Sequence, residues 1–344
     1  VKALAALLAL ALPALGQDLR GPYLVSASSI AAQACWRLEG LDSCLSLTGL
    51  LPGATFSYSL PGSTKAWTGR ALPAPDQALR FAAFGDSGWG NSAQRRVAEV
   101  LERSDPHLAL LLGDIVYHKG ADKDYDEKYF RPYARLLSRL PFYPAVGNHD
   151  YGFKDLARGR RRFEEAYQRV FRKPPFYSFD AGPVHFVALD TNEAYEISAA
   201  APIGRESAQR RWLEEDLKAA KAPWKIVFMH VPLYSIHDHG DNASLRASLE
   251  DLLQRQGVDV VLAGHDHEYL RSKPMGGIAH LIVGTGGAPL HWGGAQPEWL
   301  EKRLSLHGFL RGEADRASLL LEFVDERGEV RDSLRLEKAD PGEK

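Results

Sequence analysis

Leu79-Arg80-Phe81-Ala82-Ala83-Phe84 runs directly into Gly85-Asp86-Ser87-Gly88. A short, almost wholly apolar run reads as a strand buried on both faces, and the glycine after it lets the chain turn sharply, so that the next side chain projects over the strand's end. An amphipathic helical pattern follows over residues 93–103. The same alternation returns at 108–112 with 125–140, and at 224–229 with 245–256. Later apolar runs, at 184–189, 280–283 and 319–324, have less helix between them. The alternation predicts an α/β (α+β) fold. A single doubly wound sheet would need more strands and fewer short helices, so two packed mixed β-sheets flanked by helices are expected.

Outward from this core, residues 21–70 alternate β-type runs, such as Tyr23-Leu24-Val25 and Ala34-Cys35-Trp36-Arg37-Leu38, with Gly, Pro and Ser. The organisation expected is a small β-sandwich-like domain with its linker over 17–75, a large domain over 76–338 that carries the chemistry, and a charged tail at 339–344. Ala71-Leu72-Pro73-Ala74-Pro75 is the linker. So small a β unit buries little by itself and should lean on the larger domain. Cys35 and Cys44, the only cysteines, lie in two strand-like runs joined by a glycine-containing turn. They are either a cross-strand disulfide or two small buried hydrophobes.

The 344 residues carry 42 basic and 44 acidic side chains, a formal net charge of −2. No global field draws such a chain onto nucleic acid or an anionic membrane, so any anion must be held locally. Lys2, the apolar stretch 3–12 and Pro13-Ala14-Leu15-Gly16 read as a signal peptide over 1–16, which places the protein outside the cytoplasm, secreted or periplasmic. No other apolar run approaches the ~20 residues of a membrane span.

Five predicted strands finish in turns bearing a hard or borderline metal ligand: Gly85-Asp86, Gly113-Asp114-Ile115-Val116-Tyr117, Gly147-Asn148-His149-Asp150, Met229-His230 and Gly264-His265-Asp266-His267. Each alone is ordinary, since Gly-Asp is common and a histidine after an apolar strand is usually a bonded core residue. Together they supply the oxygen and nitrogen donors of a dinuclear hydrolytic site, gathered where α/β sheets gather ligands. Gly284-Thr285-Gly286-Gly287 lacks the Gly-Lys-Ser/Thr of a phosphate-binding P-loop and reads as a tight turn bringing backbone near the site.

All five blocks, in order from Asp86 to His267, resemble those of the purple acid phosphatases within the calcineurin-like metallophosphoesterases. The resemblance implies the metallophosphoesterase sandwich. It also implies that Asp86, Asp114, Tyr117 and His267 hold a ferric ion, while Asp114, Asn148, His230 and His265 hold a second ion (Zn, Mn or Fe(II)), with Asp114 shared. Most of the wider superfamily has Asp-x-His in the first block; here that position is Gly88. Tyr117, an anionic phenolate donor, would replace the lost histidine and favour a hard trivalent ion.

The reaction implied is hydrolysis of small phosphate monoesters, with hydroxide attacking phosphorus in line between the two cations. A phosphodiesterase or nucleotidase on the same core is the alternative, and a non-catalytic exported binding protein with missing ligands is a remote one. Three histidines outside the ligand set are candidates for protonating the leaving group: His149, His237 and His239. His239 matches a substrate-binding histidine of the family nine residues after the ligand His230. Asp150 either orients His149 or caps its own turn. Substrate choice is expected to rest on the loops 119–128, 151–159 and 291–307, and oligomeric state stays open.

Overall fold

In this computed structural model, which describes residues 20–38, 40–151, 163–195, 200–237 and 242–338, the strands are numbered along the chain. The N-terminal part holds β1 (Arg20–Ala27), β2 (Ala31–Leu38) and β3 (Leu41–Thr48) in one antiparallel sheet, then β4 (Thr55–Ser59) and β5 (Ala66–Arg70) in a hairpin. After it come β6 (Leu79–Phe84), β7 (Leu108–Leu112), β8 (Phe142–Ala145), β9 (Tyr177–Ala181), β10 (Val184–Ala188), β11 (Trp224–Phe228) and β12 (Val260–Ala263). The last are β13 (Tyr269–Ser272), β14 (Ala279–Val283), β15 (Leu300–Leu304), β16 (Gly308–Ala314), β17 (Ser318–Asp325) and β18 (Val330–Glu337). Helices are α1 (Ser92–Arg103), α2 (Ala134–Leu137), α3 (Phe163–Phe171), α4 (Ala208–Ala219) and α5 (Ala243–Arg255).

Two mixed sheets form the body, as expected: a six-stranded one in the order β18-β17-β16-β6-β7-β8 and a seven-stranded one in the order β15-β13-β14-β12-β11-β10-β9. Three apolar layers hold them. The middle layer, between the sheets, is built from the facing residues of alternate strand positions, including Phe81, Ala83, Leu110, Phe186, Ile226, Leu262 and Phe323. The other residues of the same strands face helices, with Phe84 and Leu111 meeting α1 on one side and Val227 and Val261 meeting α4 and α5 on the other. Buried on both faces, β7 reads Leu-Ala-Leu-Leu-Leu without a polar interruption. β6, β7 and β8 run parallel, as do β10, β11, β12 and β14, so the carboxyl ends of both parallel sets bring their turns to one edge of the sandwich.

One expectation fails. Residues 125–140 are not a continuous helix but a π-helical turn over Asp126–Phe130 followed by the short α2. Pro132 has no N–H to donate to the Lys128 carbonyl, and its ring crowds that carbonyl, so an α-helix cannot pass through. The freed Lys128 carbonyl accepts from Gln94 Nε2 at 2.6 Å, while Arg131 N–H reaches back five residues to the Asp126 carbonyl at 2.9 Å. The wider turn also lets Tyr129, Phe130 and Tyr133 enter the core layer that α1 covers.

The N-terminal β unit leans on the large one, with Tyr23, Val25 and Cys35 packed into the same layer as Val97 and Leu101. Tyr143 Oη both donates to the Ala27 carbonyl (2.9 Å) and accepts from its N–H (3.1 Å), and Tyr58 Oη donates to the Ser138 carbonyl at 2.8 Å. Arg20, Arg37 and Arg169 interleave with Asp42, Asp122 and Asp126 across the seam. Cys35 and Cys44 stand opposite each other on β2 and β3 and are disulfide-bonded. The signal-like stretch 1–16 and His239 lie outside the described residues.

A second ionic feature gives a pH test of the fold. His185 on β10 donates from Nδ1 to Asp180 Oδ1 at 2.7 Å and from Nε2 to Asp216 Oδ2 at 2.9 Å. Burial disfavours its charge, yet the two carboxylates override that and push it up to about 9. A folded value above the unfolded one, ~6.5, means that the stabilisation is complete below about pH 6.5 and is lost as pH rises through about 9. His185→Gln is therefore expected to lower the thermal midpoint by roughly 2 °C near pH 6, the effect of about 1 kcal/mol, and much less near pH 10. Thermal unfolding at the two pH values measures the difference.

Candidate metal centre

The two sheets are stitched together at the edge where the turns meet. Gly85 N–H donates to the Val283 carbonyl at 2.8 Å, Gly286 N–H to the Gly85 carbonyl at 2.9 Å and Ala288 N–H to the Asp86 carbonyl at 2.8 Å. The glycine run after β14 is thus a tight turn laced to the Asp86 turn. Asp86, Asp114 and His265 have positive φ, at 56°, 52° and 74°, which aims their side chains back over the strand ends. Left-handed backbone is unfavourable for such residues, and its persistence at three neighbouring turns marks a site whose geometry the surrounding fold imposes. Gly147 is required by closeness: a Cβ there would lie 2.1 Å from Asp114 N and 2.2 Å from Asp114 Oδ1.

Two clusters of donor atoms result. In the first, Tyr117 Oη donates to Asp86 Oδ1 at 2.9 Å and lies 3.0 Å from His267 Nε2, which is itself 3.4 Å from Asp86 Oδ1. In the second, His230 Nε2 lies 2.9 Å from Asn148 Oδ1, 3.3 Å from His265 Nδ1 and 3.4 Å from Asp114 Oδ1. Asp86, Asp114 and His230 alone bring one ligand atom each within 4.8 Å of one another. All seven ligand candidates therefore converge on one place.

Backbone bonds set the direction of the imidazoles. His230 Nδ1–H donates to the Leu112 carbonyl at 2.7 Å and His267 Nδ1–H to the Pro289 carbonyl at 2.8 Å, leaving each Nε2 lone pair turned into the site. Facing lone pairs on His230, Asn148 and Asp114 require positive charge between them. Burial disfavours an imidazolium at His230, yet the Asp114 carboxylate overrides it and pushes the ring up to about 10. Burial likewise works to raise Asp114, and His230 and His149 outweigh it and hold that carboxyl below the usual range. Tyr117 is pushed well above the ordinary phenol value, by burial first and then by Asp114 and Asp86. The donor set therefore fits cations: its acceptors converge, and the charge they call for is positive.

Gly88 carries no ligand and has no room for one. A Cβ built on it would lie 1.8 Å from the Ile115 carbonyl oxygen, and Tyr117 N–H donates to the Gly88 carbonyl at 3.0 Å. The Tyr117 ring is covered by Trp89, with centroids 5.1 Å apart, and by His149 at 4.5 Å.

His149 Nδ1–H donates to the His118 carbonyl at 2.8 Å, which puts Nε2 3.9 Å from Asp114 Oδ2, on the site side. The His118 ring is exposed and packs edge-on against Trp89. Asp150 takes the capping role. It is fully buried and accepts from the N–H groups of Ile115 and Gly147, each at 2.9 Å, so it ties the Asp114 turn to the Asn148 turn. His237 Nε2 is 2.6 Å from the buried Glu268, which also takes Arg303 Nε at 2.6 Å.

His291 was not singled out within its loop by sequence. Its ring stacks on His267 with centroids 4.3 Å apart and planes 19° from parallel, and its Nδ1 accepts from His267 N–H at 3.2 Å. The one available signal was the histidine opening the loop 291–307, and nothing local tells which strand end that loop folds against.

Residues 79–269 match the sequence model described as calcineurin-like phosphoesterase, and the chain belongs to that family. Residues 277–333 match one described as iron/zinc purple acid phosphatase-like protein C. Purple acid phosphatase 21 of Arabidopsis thaliana is 30% identical over 263 residues, covering 69% of this chain and 56% of that protein. Tartrate-resistant acid phosphatase type 5 of Mus musculus is 27% identical over 245 residues, covering 62% and 74%. In fold, the chain is similar to a purple acid phosphatase from yellow lupin (Lupinus luteus) seeds, with a TM-score of 0.77 at 19% identity over 93% of this chain and 74% of that one. Within its family the chain is purple acid phosphatase-like, and it spans little more than half the length of the Arabidopsis relative.

Proposed function

We propose that the chain is an exported hydrolase of small phosphate monoesters, of acid-phosphatase type, working with two metal ions. Asp86, Asp114, Tyr117 and His267 would hold a ferric ion, and Asp114, Asn148, His230 and His265 a divalent one (Zn, Mn or Fe(II)). The observation that carries this reading is the pairing of the two donor clusters: Tyr117, Asp86 and His267 lie within 3.4 Å of one another, and the second cluster gathers within 3.4 Å of His230 Nε2. Export rests on the pattern of residues 1–16, and among the described residues no helix is long and apolar enough to cross a membrane.

When bound, the two cations supply neutralisation of the phosphate oxygens and a water of lowered pKa placed for in-line attack. The protein's part is orientation and proton handling. Leu112 and Pro289 carbonyls keep His230 and His267 from rotating, and Asp150 keeps the two central turns at fixed separation. His149, held through Nδ1 on the His118 carbonyl, turns Nε2 toward the Asp114 side of the site, where it would hold a proton for the leaving oxygen. His237 and His239 are the further candidates for that proton, His237 being steered by Glu268.

Metal analysis joined to an ester panel tests the proposal. The purified protein is expected to contain two metals per chain and to hydrolyse 4-nitrophenyl phosphate faster than bis(4-nitrophenyl) phosphate. The reverse preference would make it a diesterase, and two bound metals without hydrolysis of either would make it a binding protein.

A further inference from the structure

Beside the donor clusters a wall of rings continues outward, past the groups assigned to the hydrolysis itself, to His291 and Trp292. His291 stacks on His267, and the His237 ring stands against His291 at 5.1 Å and 75°. The next residue after His291 is Trp292, ~3.8 Å further along the backbone, and its indole is 77% exposed. Of the other large exposed apolar side chains among the described residues, Ile30, Leu41 and Leu51 sit on the N-terminal unit and Val330 on β18, whereas Leu306 lies on this rim too. It adjoins Ser305, whose hydroxyl donates to the His291 carbonyl at 3.1 Å.

The loop that presents the indole is tied down on several sides. His291 N–H donates to the His267 carbonyl at 2.9 Å and Ala295 N–H to the Ile236 carbonyl at 3.0 Å, while Arg303, fixed by the buried Glu268, bonds the Gly293 carbonyl. Gly293 and Gly294, with φ of +78° and +107°, turn the chain away immediately after the tryptophan. A bulky, exposed indole is thus carried on a loop whose backbone is pinned beside His267. An unburied aromatic face so placed is a stacking surface.

We infer that Trp292, with the His291 and His237 rings, forms a subsite for the leaving group and selects phosphate monoesters whose alcohol carries a flat aromatic ring, aryl or nucleoside. The inference rests on the proposed phosphomonoesterase reading. Trp292 is a specificity-determining residue that takes no part in the bond-breaking step, so its loss acts on substrates in proportion to their ring.

The test measures kcat/KM of the metal-loaded enzyme on phenyl phosphate, a nucleoside 5′-monophosphate and the ring-free glycerol 2-phosphate, for the native chain and for Trp292→Ala and Trp292→Phe. Trp292→Ala should lower kcat/KM for the two ring-bearing esters by roughly tenfold, mainly through KM, as loss of one stacking face does. It should leave glycerol 2-phosphate unchanged, and Trp292→Phe should restore most of the loss. Metal content and the thermal midpoint should match those of the native chain. Independently, the native protein should show tryptophan fluorescence quenched by adenosine but not by inorganic phosphate, with the quench lost in Trp292→Ala. Equal effects on all three esters, or none, would overturn the subsite alone. Hydrolysis of none of them by the native enzyme would instead overturn the phosphomonoesterase reading, and the subsite with it.

Discussion

Asp114→Asn is expected to abolish hydrolysis of 4-nitrophenyl phosphate, with a fall of roughly 10³-fold or more, because an interaction worth several kcal/mol to transition-state charge would be lost from both halves of the site at once. The carboxylate stands between the clusters. It is 3.4 Å from His230 Nε2 on one side and contributes to raising the Tyr117 phenol on the other. The substitution replaces an anion by a neutral amide of nearly the same shape, so packing is preserved while the charge that draws cations in is not. Metal content measured beside activity separates the effects: it should fall for both ions. Full activity, or loss of one ion only, would remove Asp114 as the shared residue.

Tyr117→Phe is expected to have the second large effect, on colour rather than on fold. If the phenol oxygen holds a ferric ion, the native protein absorbs in the visible through phenolate-to-iron charge transfer, and the variant loses that band entirely. The ring itself can stay, packed under Trp89 and against His149, so the thermal midpoint should move little. Absorption spectra of the two purified proteins, with iron measured in each, decide it. A colourless native protein containing only zinc or manganese would sink the iron assignment while leaving the rest of the donor set in place.

What could be read from the chain and what could not divides along the range of the interactions. The strands ending at Phe84, Leu112 and Phe228 announce themselves because a buried parallel strand is a continuous apolar run, and after Phe84 and Leu112 the turn begins with glycine, all within ten residues. Convergence of the turns follows from the rule that parallel strands deliver their carboxyl ends to one edge, and the structure brings Asp86, Asp114, Asn148, His230, His265 and His267 together there. The break in residues 125–140 was visible at Pro132, yet its outcome depends on Gln94, distant in sequence, taking the stranded carbonyl. Asp150 offered two readings, and only the positions of Ile115 and Gly147 N–H choose between them. His291 and Glu268 escaped for a related reason: each is ordinary in its own segment and acquires meaning from a ring or guanidinium supplied by another.

Gly88 bears on which donor the site can hold. An Asp-x-His pattern in the first block would put a histidine at that position. In this chain the place where a Cβ would go is occupied by the Ile115 carbonyl, and the Val116 Cα stands 2.7 Å from it. Those two residues belong to the turn that carries Asp114 and Tyr117, so making room for an imidazole would displace Tyr117, the donor proposed in its stead. Any side chain at position 88 therefore requires the whole turn to shift. A side chain at position 88 and Tyr117 in its present place compete for the same space, so the packing of this turn leaves room for one of the two donors and holds the phenol.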